Sequence, residues 1–228
     1  MMRLLRLAVP TVVLGVFIPT LCWAKPSATP AAAANSSPPS SARVAAQEGI
    51  SQILEVLRER ALDKEGRAEK MKKVMEEYLD FETFSRLSIG PSWRDLSDAQ
   101  RGQFVEEFKR HMLGIASKST TGYDDEDVVI VADKKESNGD YTIQSRVLGK
   151  IKDGVQEDIG RVDFRVRQRE DRWKVIDIHV AGISMANTFR AQFLVIMKDG
   201  GFEKLLKMLH DRNAGGSEKP TRTADAEK

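Results

Sequence analysis

Asp177 and His179 stand two residues apart, a spacing that puts both side chains on one face of a strand and within reach of general acid/base work in a cavity. Trp173 and Val175 alternate onto the same face. The simpler expectation is that this face meets water or a partner, leaving Ile176, Ile178 and Val180 for the core. Just beyond, Gly182-Ile183-Ser184-Met185-Ala186 shares part of the pattern of a nucleophile elbow, in which a serine sits on a sharp strand-to-helix turn, but the second glycine is missing. Ser184 is therefore expected to cap a helix, a common use of serine at such a junction. Neither His111, His179 nor His210 has a second His or a Glu at a metal-ligating interval, and no HExxH sequence or glycine-rich phosphate loop is present. No catalytic residue, no metal site and no cofactor are expected.

Composition narrows the classes further. The 228 residues carry 36 Lys and Arg against 34 Asp and Glu, and the excess of two sits at Arg3 and Arg6. Beyond residue 24 the charges balance, so no basic surface for counterion release on a phosphate backbone is expected, and nucleic acid is excluded as a partner. Hydrophobic residues at 41% and charged residues at 31% fit a globular domain with a real core.

The N-terminus predicts the compartment. After Arg3 and Arg6, Leu7 to Ala24 carry no charge, Pro10 and Pro19 interrupt the run, and Cys22-Trp23-Ala24 resembles an A-x-A cleavage site. Residues 1–24 are read as a cleavable signal peptide, and the expected location is a bacterial periplasm. Cleavage there removes Cys22, the single cysteine, so disulfides and thiol chemistry are not expected. Residues 25–43 form a Pro/Ala/Ser-rich flexible linker, 44–211 one domain, and 212–228 a disordered tail.

Within the domain the hydrophobic period changes once. Ile50, Ile53, Leu54 and Leu57, then Met71, Val74, Met75 and Tyr78, recur at helical spacing. Phe81 to Ile89 forms a short helix stopped by Gly90-Pro91, and Ser97 caps a longer one carrying Phe104, Phe108, Met112 and Ile115. Beyond Tyr123 the pattern turns strand-like at Val128–Val131, Tyr141–Leu148, Val155–Arg167 and Trp173–Val180, with turn signals at Asn138-Gly139, Asp153-Gly154 and Glu170-Asp171. In the third strand Val162, Phe164 and Val166 predict a dry face, and Arg161, Asp163, Arg165 and Arg167 a wet one. Ile159 is out of phase, and Gly160 marks the slip, so a bulge that curves the sheet is expected. Ser184 opens a helix with Met185, Phe189, Phe193 and Ile196, and Gly200-Gly201 separates it from a last helical stretch. The class predicted is α+β, a curved antiparallel four-stranded sheet covered by helices on one face.

Phe104, Phe108, Met112, Phe164, Val166, Phe189 and Phe193 are all expected to converge on the interior, either as an ordinary close-packed core or as the lining of a cavity. A resemblance favours the second. Phe81, Arg86, Leu87, Ile89, Gly90 and Trp93, then Gln100-Arg101, Phe104 and Phe108, are similar to the MlaC family of periplasmic phospholipid-binding proteins. Trp173-Lys174-Val175, Asp177, Gly182-Ile183-Ser184, Asn187, Arg190, Gln192 and Phe193 continue it in order and spacing.

The resemblance implies a cone similar to nuclear transport factor two, with acyl chains held between sheet and helices. The lining it implies is Ile89, Trp93, Phe104, Phe108, Met112, Val147, Phe164, Val166, Ile176, Ile178, Val180, Met185, Phe189 and Phe193. It further implies a monomeric carrier of membrane lipid, phospholipid or a hopanoid, between an outer-membrane lipoprotein complex and the MCE-domain subunit of an inner-membrane ABC transporter. Arg146, Arg165 and Arg167 then either meet a lipid phosphate or are solvated arginines of a strand face. The other functions compatible with the residues are a cone-fold isomerase or hydrolase using Asp177 and His179, and an envelope interaction protein with a solid centre.

Overall fold

The computed structural model describes residues 40–119, 123, 125–151 and 154–215. The expected signal peptide, the linker up to residue 39 and the tail beyond residue 215 lie outside them. Helix α1 (Ser41–Arg58) starts inside the stretch expected to be linker, because the Ser40 hydroxyl accepts the Arg43 amide hydrogen at 3.1 Å and caps it. Asp63 caps α2 (Lys64–Tyr78), and Asp80 caps α3 (Phe81–Ile89). At Gly90 the backbone has a φ of 66°, and a Cβ would stand 2.9 Å from Arg190 Nε, so only glycine closes this helix. A 3-10 turn (Gly90–Asp95) leads into α4 (Asp98–Ser119). Ser97 and Gln100 form a capping box there: the Gln100 amide donates to Ser97 Oγ at 3.3 Å, and the Ser97 amide donates to Gln100 Oε1 at 3.0 Å.

Strands β1 (Asp127–Lys135), β2 (Tyr141–Leu148), β3 (Asp158–Arg169), β4 (Arg172–Val180) and β5 (Ile183–Ser184) form one antiparallel sheet in that order. Five strands are present, one more than expected, because positive φ at Ala181 (50°) and Gly182 (81°) turns the chain back so that Ile183 pairs with Val180. The third strand starts at Asp158, three residues later than expected.

Three register slips curve the sheet. Ile159 is the extra residue between the Val147–Gly160 and Leu148–Asp158 pairs, as its phase predicts, and Val131 is the extra residue of β1. The third slip corrects an expectation. Val166 pairs with Val175 but Arg165 pairs with Asp177, so Ile176 is extra and the strand changes phase there. Trp173 and Val175 consequently share the inner face with Ile178 and Val180, while Asp177 and His179 take the other side with Lys174.

Helix α5 (Met185–Ala214) packs on α3 and α4 and breaks at Gly200-Gly201, as predicted. The apolar residues do not converge on one interior. In the first core Phe84, Phe104, Phe108, Phe189 and Phe193 pack between α3, α4 and α5. Phe108 lies 5.6 Å from Phe104, 5.0 Å from Phe189 and 5.5 Å from Phe193 between ring centroids, stacked on the first and edge-on to the others. That centre is filled, not hollow. In the second core Ala42, Ala46, Ile50 and Leu54 of α1 pack on Ile130, Ile143 and Val166, with Phe164 alongside.

Candidate functional site: an apolar seam beneath the first helix

The two cores meet under α1, and an apolar cavity of about 50 Å³ lies in that seam. Ala45, Ala46, Gly49, Ile50 and Ile53 of α1 form its roof, Tyr78 and Leu79 one side, and Phe164, Val166, Trp173, Val175 and Ile178 its floor. The small residues keep the roof thin. A Cβ on Gly49 would lie 2.9 Å from the Tyr78 ring, so glycine sets how closely α1 approaches that wall. The two polar groups of the lining are satisfied locally: Gln52 donates to the Tyr78 hydroxyl at 2.8 Å, and Trp173 Nε1 donates to Ser41 Oγ at 3.1 Å. Such a space excludes water and accepts hydrocarbon.

Polar fastenings hold α1 at its ends. Arg43 donates to the Ile130 carbonyl at 2.9 Å and pairs with Asp133 at 3.4 Å. Arg58 pairs with Asp127 at 2.7 Å and donates to the Tyr123 hydroxyl at 3.1 Å. Pairs this exposed contribute about 0–1 kcal/mol each, so α1 is held mainly by its apolar face.

Of the predicted lining, Phe164, Val166 and Ile178 border the cavity. Ile89, Phe104, Phe108, Met112, Phe189 and Phe193 are buried in the helical core, with Met185 and Trp93 packed against it. Trp93 meets Phe104 edge-on and carries the Arg101 guanidinium over its ring. Ile176 is fully buried at the bulge, and Val147 and Val180 continue the inner face beyond the cavity. The roof residues, Tyr78, Leu79, Trp173 and Val175 were missed by sequence reasoning. Ala42, Ala45, Ala46 and Gly49, a stripe of small residues along one helix face, were the available signal.

Asp177 and Ser184 form a capping network. Asp177 accepts from the Ser184 hydroxyl at 2.6 Å, the Ala186 amide at 3.0 Å and the Ile178 amide at 2.9 Å, and His179 Nε2 lies 3.1 Å from the same carboxylate. Ser184 Oγ in turn accepts the Asn187 amide at 3.0 Å. The serine proton points at a carboxylate rather than an imidazole, so this is the start of α5 and not a nucleophile activated by His179. Asp177→Ala leaves three donors without their acceptor and is expected to lower stability by about 2–3 kcal/mol, read as a shifted urea midpoint.

The arginines of the outer face are paired. Arg146 meets Asp158, Arg165 lies 3.2 Å from Asp140, Arg167 grips Asp140 through Nε at 2.7 Å and a second nitrogen at 2.8 Å, and Arg169 lies 2.7 Å from Asp80. Burial pushes the Asp140 and Asp80 carboxyls up. Hydrogen bonds outweigh it, from Arg167 and Asn138 on Asp140 and from Thr83 and Arg169 on Asp80, and hold both below the usual carboxylate range. Carboxyls depressed in the folded state stabilise it fully above their unfolded values and lose that contribution as pH falls through the folded ones. The urea midpoint is therefore expected to stay level down to about pH 5 and to fall steeply below about pH 4.

A larger, open groove of about 540 Å³ runs between α4 and the end of α5, but Glu106, Glu107, Arg110, Glu203, Lys207 and His210 line it, a poor wall for hydrocarbon. Among the described residues no group of three or more His, Cys, Asp or Glu is placed to hold a metal ion. No helix among them is long and apolar enough to cross a membrane.

No curated protein matches this chain. Among solved structures, the phospholipid-binding protein from Ralstonia solanacearum, determined in complex with a phospholipid, superposes with a TM-score of 0.66 at 20% identity, covering 78% of this chain and 100% of that one. The two share a fold. The family model described as MlaC protein matches residues 47–211, a span that runs from within α1 to the last turn of α5 and takes in most of both cores and of the seam between them. On that match the chain belongs to the MlaC family.

Proposed function

We propose that this protein is a periplasmic lipid carrier without catalytic activity, exported by the 1–24 signal peptide, which holds an acyl chain of a phospholipid or hopanoid in the seam beneath α1. The water-excluding cavity between α1 and the inner sheet face carries this reading. Membership of the MlaC family and a fold shared with a protein solved in complex with a phospholipid support it.

Burying one CH₂ contributes about 0.8 kcal/mol, so a sixteen-carbon chain gains on the order of 12 kcal/mol over water. Escape into solvent is therefore too slow to move lipid. A bilayer buries the same chain equally well, so exchange between bilayer and carrier is nearly isoenergetic and needs no catalytic group. A methylene group fills roughly the volume of a water molecule, about 30 Å³, so a long chain needs several hundred Å³. The seam gains that space when α1 moves away from the sheet, its apolar face exchanging contacts with the sheet for contacts with the acyl chain. The sheet and the aromatic helical core stay in place. The carrier thereby serves as the soluble component of an ABC transport system, exchanging lipid with an outer-membrane lipoprotein complex and an inner-membrane MCE-domain subunit.

Organic extraction of the purified protein followed by mass spectrometry tests the reading. About one lipid per chain is expected, and a well-folded sample free of lipid after exposure to phospholipid vesicles overturns it.

A further inference from the structure

Helix α1 is fastened unevenly along its length. At its C-terminal end the Arg67 guanidinium of α2 donates to the carbonyls of Leu57 at 2.8 Å, Glu59 at 3.2 Å, Val56 at 3.4 Å and Leu62 at 3.5 Å. Val56 and Leu57 are among the last carbonyls of α1, which have no partner within the helix. Lys70 of α2 adds an ion pair to Glu59 at 2.6 Å, and only the short connection 59–63 separates the two helices.

Side-chain packing follows the same gradient. Ile53 and Val56 pack in the first core, Ile50 and Leu54 in the second, and Leu57 touches both. The N-terminal half presents Ala42, Ala45, Ala46 and Gly49, which bury little apolar area, and of these Ala42 and Ala46 join the second core alone. Its polar ties, from Arg43 to Ile130 and Asp133 and from Trp173 to Ser41, run to the sheet.

We infer that Arg67 is a positioning residue that pins the C-terminal end of α1 to α2, so that the seam opens at the N-terminal end and lipid enters and leaves beside Trp173. The inference rests on the lipid-carrier reading. α1 then turns as a lever about the Arg67 contacts. At 1.5 Å per residue Ala45 lies roughly 20 Å from Arg58 and Ile53 about 8 Å, so one rotation lifts one end of the roof more than twice as far as the other. The opening is a wedge, wide at Ser41 and Trp173 and narrow at Leu57. A wedge admits a hydrocarbon tail end first, whereas lifting the whole helix would bring Ile53, Leu54 and Leu57 into water together.

The test uses the full chain with Cys22→Ser and follows phospholipid exchange between phosphatidylcholine vesicles. Arg43→Cys with Asp133→Cys places two thiols across the opening end, and Glu59→Cys with Lys70→Cys places two across the pinned end. Closing the first pair with a short bis-maleimide is expected to slow exchange at least tenfold relative to the same protein before reaction. Closing the second is expected to leave the rate within about twofold. Arg67→Met keeps the aliphatic stem and removes the donors, so in the protein clamped at the first pair it is expected to restore exchange at least fivefold, and Arg67→Lys to restore less. The inference is overturned if closing the first pair leaves exchange unchanged, or if closing the second slows it as strongly. It is also overturned if folded Arg67→Met leaves the clamped protein blocked. The two cross-links decide where the seam opens even if Arg67→Met does not fold. A chain that never carries lipid removes the carrier reading and this inference with it, which extraction shows before any cross-link is made.

Discussion

Phe108→Ala is expected to lower folding stability by about 4 kcal/mol, the effect of deleting a fully buried aromatic ring that the surrounding structure cannot replace. Phe108 contacts Phe84, Phe104, Phe189 and Phe193, which come from three helices, so no single helix can slide to fill the space. A domain of this size has about 5–15 kcal/mol in total, so the variant stays folded with a much lower urea midpoint at unchanged slope. Lipid occupancy of the folded fraction is expected to match the wild type, because none of these rings borders the cavity. A Phe108→Ala protein of normal stability but reduced lipid content would place the cargo among these rings instead.

Phe164→Asp has the opposite profile. Phe164 is half-buried on the cavity floor, and a carboxylate at its edge can reach solvent when the seam is empty. Against a bound acyl chain that route closes, and an unpaired charge or its protonation penalises the loaded form. Retention of lipid is expected to weaken at least a hundredfold. Phe164→Ala, which removes only apolar contact worth about 1.5–3 kcal/mol, weakens it about ten- to hundredfold. Circular dichroism and extraction on the same samples separate the two substitutions from unfolding. Full lipid loading of folded Phe164→Asp would remove the seam as the binding site.

Much of the local structure was legible in the residues themselves. Ser97 and Ser184 cap the helices they were expected to cap, because a serine before an apolar helical stripe has few other uses. The Ile159 bulge showed as a break in alternation beside a glycine. The Ile176 bulge left no such mark, since Val175 and Ile176 are both apolar and the series from Trp173 to Val180 alternates acceptably in either phase. That ambiguity put Trp173 and Val175 on the wrong face and hid two of the five residues of the cavity floor.

The division of the apolar residues into two cores was equally invisible, because hydrophobicity records burial and not the partner. Phe104 and Phe164 carry the same side chain, yet one sits at the middle of a packed bundle and the other beside a void. The small residues of α1 read as good helix formers, and only their position over Tyr78 and the sheet reveals that they leave room.

Because the stacked phenylalanines do not line the seam, robustness and adaptability rest on different side chains. On the proposed carrier reading, changes along Ala45, Ala46 and Ile53 retune which tail the seam takes while the phenylalanine cluster continues to secure the architecture. On that reading, new cargo preferences arise in this scaffold by a handful of substitutions under one helix, without first rebuilding its foundation.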